Sequence, residues 1–114
     1  MKIIKDKISL NELAVMSKNM FGNFVKAVVD IDKGIMAVGG ELHADEETWL
    51  LQDGSKQASL WGINIYPELA DSQGFIEFDS MINLRPSQGN RSRGVDNPEI
   101  RAKILSIIDK LIIK

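Results

Sequence analysis

The sequence predicts an α+β domain: a four-stranded, mainly antiparallel sheet with N-terminal and C-terminal helices packed on one face, and a short helix between strands two and three. Three observations point there. Apolar residues recur at helical spacing near both ends of the chain. Between the ends the apolar period drops to two, the signature of strands with one covered face. The segments are separated by glycine, Asp-Gly and proline punctuation, with no linker-like tract or internal repeat.

The first helix is expected from about Leu10 to Met20. Ser9-Leu10-Asn11-Glu12 has capping-box spacing: the serine hydroxyl can accept from the Glu12 amide while the Glu12 carboxylate reaches back. Leu10, Leu13, Met16 or Ser17, and Met20 form its apolar stripe, and Gly22 ends it. Strand one starts at Phe24, with Val25, Ala27, Val29 and Ile31 pointing one way and Phe24, Lys26, Val28 and Asp30 the other. Asp32-Lys33-Gly34 is a turn signal, so Ile35 to Leu42 returns as strand two of a hairpin. Gly39-Gly40 marks a bulge or a close backbone approach.

Ala44 to Gln52 reads as the short helix, with Asp45, Glu46 and Glu47 near the positive end of its dipole and Trp49 and Leu50 as its apolar face. Strand three is Leu60 to Tyr66, closed by Pro67. Strand four is expected to be the longest, Phe75 to Arg85, with Ile76, Phe78, Ile82 and Leu84 on one face and Glu77, Asp79, Met81, Asn83 and Arg85 on the other. Asn97 caps the last helix and Pro98 takes its first position, where a missing amide costs nothing. Ile100, Ile104, Ile107 or Ile108, and Leu111 are its buried stripe. Short connections suggest a meander, and Trp49 and Trp61 are expected in the core.

At 114 residues the chain suits one domain, residues 1–114, long enough to bury a real core. A formal charge of -2 speaks against a nucleic-acid coat protein or a basic membrane binder. The absence of cysteine excludes disulfides, thiolate metal sites and thiol catalysis, and suits a reducing compartment. Charges interrupt the first residues at once, and no window nears the roughly 18 apolar residues of a membrane span, so a cytoplasmic location is expected.

Three places can carry chemistry. The first is the Asn83–Gly94 loop, where Arg85, Arg91 and Arg93 supply cationic forks suited to phosphate or carboxylate. Asn83, Gln88 and Asn90 add neutral donors, and Gly89 and Gly94 let amides turn toward a ligand as a nest does. A phosphate-containing small molecule is the expected partner. The same loop also reads as solvated, with arginines paired to acidic side chains, or as a subunit contact. No Gly-Lys-Ser or Gly-Lys-Thr closes it as a Walker motif would.

The second is the lone histidine, His43, with Glu41 and Asp45 beside it. They can act as a base oriented by a carboxylate in a hydrolase or transferase, or His43 with Asp45, Glu46 or Glu47 can supply ligands to a divalent ion, provided this segment meets the arginine loop in space. One histidine does not make a structural zinc site, and no metal or cofactor is assigned. The third is the polar side of the sheet, with Lys26, Asp30, Asn64, Tyr66, Glu77, Asp79, Asn83 and Arg85, read as a solvated floor, a cleft or a homodimer interface.

At Gly39-Gly40-Glu41-Leu42-His43-Ala44-Asp45, Leu60 to Pro67 and Ile82 to Gly94 the chain resembles a small family of prokaryotic proteins of unknown function. The resemblance covers nearly the whole chain and implies a bacterial or archaeal single-domain protein. It brings no activity and no site residues.

Overall fold

Ser9 starts the first helix as its spacing predicts. In a computed structural model describing residues 1–114, its hydroxyl accepts from the Glu12 amide at 3.0 Å, and helix α1 runs Leu10–Asn19. The reciprocal half of the capping box is absent, because the Glu12 carboxylate pairs with Lys2. Gly22, at φ +97°, donates its amide to the Ser17 carbonyl and closes the helix.

Lys2 belongs to an unexpected strand, β1 (Lys2–Ile4). A second, β2 (Ile8–Ser9), precedes α1 and pairs in parallel with β7 (Ile112–Ile113) at the other end of the chain. The hairpin forms from β3 (Val25–Asp30) and β4 (Ile35–Val38). Asp30 holds its turn by accepting from the Asp32 and Lys33 amides, each at 2.9 Å. Helix α2 (His43–Gln52) follows, then β5 (Leu60–Ile65), β6 (Ile76–Glu77) and helix α3 (Pro98–Leu111). Asn97 caps α3 through its carbonyl oxygen, 2.8 Å from the Glu99 amide.

The sheet therefore has five antiparallel strands in the order β1-β4-β3-β5-β6, beside the two-stranded β2-β7 pair; the expected four-stranded meander is corrected. In a meander β5 would lie next to β4. That edge of β4 is taken by β1, so the chain crosses through α2 and places β5 on the far side of β3.

Both faces of the sheet are covered. Val25, Ala27, Val29, Trp61, Ile63 and Ile65 share a core with Leu13 of α1 and Ile104, Ile108 and Leu111 of α3. Burying each of those helix side chains is worth roughly 1.5–3 kcal/mol. On the opposite face, Leu50 of α2 packs on Val28, Ile35, Ala37 and Leu60. Trp49 is left 43% exposed, so only Trp61 anchors the core.

The largest departure is strand four, which ends after Glu77. At Ser80 the chain crosses from one sheet face to the other. Phe78 packs against the first core, whereas Ile82 packs against the second. A 3-10 turn, Met81–Asn83, replaces the strand, with the Ser80 hydroxyl accepting from the Ile82 amide at 3.3 Å. Asn83 then takes the place of a strand residue. Its side-chain carbonyl accepts from the Gly62 amide at 2.8 Å, and its amide donates to the Gly62 carbonyl at 2.9 Å. Gly62 is required there, since a Cβ would fall 2.5 Å from the Ser80 Cβ.

Candidate functional site

The Asn83–Gly94 loop is organised by two buried asparagines. Besides Gly62, the Asn83 amide donates to the Arg93 carbonyl at 2.9 Å. The Asn90 amide donates to the carbonyls of Asn83, Ser92 and Gly94, and its carbonyl oxygen accepts from the Asp96 amide. Gly89, at φ +83°, makes the turn that brings Arg85 and Asn90 into a backbone bridge. From the sequence alone these asparagines are expected to be donors for a ligand. The structure turns them onto the chain's own backbone, whose polar groups need partners once buried.

The three arginines do not gather at one point. Arg85 lies over the Trp61 ring at 4.2 Å and donates to the carbonyls of Gln57 (2.6 Å) and Leu60 (2.7 Å). Burial lowers its pKa, with nearby Glu47 opposing the shift. Arg91 is exposed; its backbone amide donates to the Asp96 carboxylate at 2.8 Å. Asp96 is held below the usual carboxylate range, first by the Ser92 hydroxyl and then by that amide. Gln88 lines a separate cavity beside Trp61 and Asn97. Arg93 alone reaches the polar side of the sheet, where its Nε donates to Asp79 at 2.8 Å.

That side holds a cavity of about 420 Å³. Lys26 of β3, Asn64 of β5 and Glu77 of β6 lie in one cross-strand row and form part of its lining. Their shared parity was legible in the sequence. His43, Asp79 and Arg93 also line it, and Phe24, Leu42, Met81 and Ile82 supply apolar surface. Of the other polar-face residues, Tyr66 donates to Glu77 at 3.1 Å, and Asp30 binds its own turn and the Ser55 hydroxyl.

His43 and Arg93, far apart in sequence, therefore border the same space. The Nε2 of His43 lies 2.8 Å from the Ile63 carbonyl, which can only accept, so this nitrogen carries the proton. The neutral ring then has its lone pair on Nδ1. Burial lowers the His43 pKa below 6.5, partly offset by the Ile63 bond, which keeps the ring neutral at pH 7. Glu41 and Asp45 line a different cavity, with Gly40, Thr48 and Trp49. The carboxylates that share space with His43 are Glu77 and Asp79.

Helix α2 begins at this cavity too. Leu42 is its N-cap and provides no side-chain acceptor, and Leu42, His43 and Ala44 all line the space. The first amides of a helix have no acceptor within it and favour an anion. One turn in, Glu46 is fully buried, with one carboxyl oxygen accepting from the Gly40 amide at 3.0 Å and the other without a partner. Burial pushes its pKa up to about 9. The sequence signal for Glu46 was slight: it shares a helical face with His43 and Leu50, and all three are buried.

No group of three or more His, Asp or Glu side chains is arranged to hold a metal ion, and no helix is long and apolar enough to cross a membrane. A family model described as a protein of unknown function (DUF5674) matches residues 2–111. The chain belongs to this family. No curated protein and no solved structure matches it. Within this DUF5674 member, the cavity joins the three segments whose wording resembles the family: one carries His43, one carries Asn64, and one ends with Arg93 and Gly94.

Proposed function

We propose that the chain binds a small anionic ligand, bearing a phosphate or carboxylate, in the cavity at the start of α2. Arg93 and Lys26 are the cationic contacts, and the first amides of α2 add a favourable potential. The observation that carries this reading is that Arg93 from the loop and His43 from the helix start line one cavity. Both cations keep donors free. Lys26 has no carboxylate partner and rests over the Phe21 ring at 5.0 Å, and Arg93 uses only its Nε on Asp79. A cavity of about 420 Å³ is in the range that small-molecule sites occupy.

This reading narrows the role of the Asn83–Gly94 loop to Arg93, because Asn83, Arg85 and Asn90 already bond the chain's backbone. Titration calorimetry with inorganic phosphate and with acetate tests it. The expected result is saturable binding that weakens tenfold or more in Arg93→Met and Lys26→Met and is unchanged in Arg91→Met. Equal binding by all four proteins would sink the proposal.

The His43 tautomer favours a second reading, in which the same cavity performs acid–base chemistry. A neutral ring anchored through Nε2 leaves Nδ1 able to take a proton from a bound hydroxyl or water. A panel of phosphate and carboxylate esters checks this: turnover should vanish in His43→Gln while phosphate binding survives. Absence of turnover across the panel removes the reading.

A further inference from the structure

We infer that the anion bound in this cavity is the head of a small amphiphile, whose short aliphatic chain lies on Leu42 and Met81. The inference rests on the anion-binding reading above and adds the apolar part of the ligand. Met81, 62% exposed, and Leu42, 55% exposed, are the two most exposed large apolar side chains of the protein, and both line this one cavity. Single apolar side chains in water are ordinary, whereas several around one cavity mark a binding surface.

Neither position needs an apolar residue for the fold. Leu42 is the N-cap of α2, a position that favours Ser, Thr, Asp or Asn because their oxygens accept from the helix's first amides. Leucine offers no such acceptor, and it is Leu50 that α2 commits to the core. Met81 opens the turn after Ser80, where Ile82 is the residue that packs inward. The apolar wall continues at Phe24, also in the lining, which stacks on the exposed Phe21 with ring centroids 4.9 Å apart. The unbranched thioether of Met81 adapts readily to a chain lying against it.

The charged groups decide where the head lies. Glu77 already accepts from Asn64 and Tyr66, and Asp79 from Arg93. Lys26 has no carboxylate partner, and the first amides of α2 directly follow Leu42. A head group held by Lys26 and these amides therefore places its chain beside the Leu42 side chain. A bare phosphate or acetate leaves most of a cavity of about 420 Å³, with Leu42 and Met81, to water.

Complete burial of a methylene is worth about fourfold in affinity. Half of that free energy, in an open cavity, is about twofold per methylene, so octanoate should bind roughly tenfold or more tighter than acetate. Calorimetry on the full chain at pH 7 tests this with acetate, butyrate and octanoate, and with hexanoate against 1-hexanol. The expected result is an affinity that rises with chain length. The rise should disappear in the Leu42→Ala plus Met81→Ala double variant. It should persist in Val15→Ala, which truncates a comparably exposed side chain of α1 outside the cavity. If acetate and octanoate bind alike, the inference is overturned and the anion reading stands. A rise that survives the double substitution puts the chain elsewhere and also overturns it. If hexanoate binds no tighter than 1-hexanol, the anion reading fails and the amphiphile with it. If no probe binds, both fall. Equal urea midpoints for the double variant and the parent show that the lost chain-length dependence comes from the site.

Discussion

Glu46→Gln should stabilise the protein, and increasingly so as the pH rises. Glu46 is fully buried in α2, with one oxygen bonded to the Gly40 amide and the other unpartnered. Its pKa is raised from 4.5 to about 9 because burial disfavours the charged carboxylate. The folded state thus keeps a proton that the unfolded chain releases above pH 4.5. Where the native state binds more protons than the unfolded one, stability falls as pH increases. The contribution is full below about pH 4.5 and is lost progressively as pH rises from there to about 9.

At about 1.4 kcal/mol per pH unit, the carboxyl costs roughly 3 kcal/mol at pH 7 and about 4 kcal/mol between pH 5.5 and pH 8.5. Glutamine matches the protonated acid in shape and helix propensity, can still accept from the Gly40 amide, and does not titrate. Guanidinium unfolding of both proteins at pH 5.5, 7 and 8.5 measures the difference directly. Groups that titrate equally in the two proteins cancel. The gap should widen with pH by about 4 kcal/mol in favour of the glutamine variant. A flat difference curve, or a parent protein that is the more stable at pH 8.5, would refute the assignment of a protonated buried acid.

Other substitutions probe the crossing at Ser80 and separate the arginines. Gly62→Ala places a methyl 2.5 Å from the Ser80 Cβ and should cost roughly 1–3 kcal/mol in urea unfolding; an unchanged midpoint would show that the turn yields freely. Asn83→Ala leaves the Gly62 amide without its acceptor and should cost roughly 2–4 kcal/mol, read as a lower unfolding midpoint together with faster hydrogen exchange at Gly62. Arg85→Met removes donors from the Gln57 and Leu60 carbonyls and should lower stability by roughly 1–3 kcal/mol without changing phosphate affinity. Arg93→Met should do the reverse, since its ion pair is exposed and worth no more than about 1 kcal/mol, while its loss weakens the anion site. If the two arginine variants exchange these phenotypes in unfolding and titration experiments, the division between structural and ligand-binding arginines is wrong.

The sequence by itself determined what depends on local chemistry. The Ser9 and Asn97 caps, the Gly34 turn and the two apolar periods each rest on contacts within a few residues, so the three helices and the β3–β4 hairpin were legible. Side-chain parity also marked Lys26, Asn64, Glu77 and Asp79 as sharing a polar side, because alternation is a property of the strand itself. The tertiary structure alone decided strand order, the β1 edge and the β2–β7 pair, since pairing joins residues far apart and carries little local signal. Asn83 and Arg85 show why the candidate site could not be read in full. An asparagine and an arginine carry the same donors whether they face a ligand or a buried carbonyl, and only the position of Gly62, Gln57 and Leu60 in space settles which. The same holds for Glu46: its charge suits a helix start, yet the fold places it under the sheet's cover beside Gly40, where the protonated form prevails.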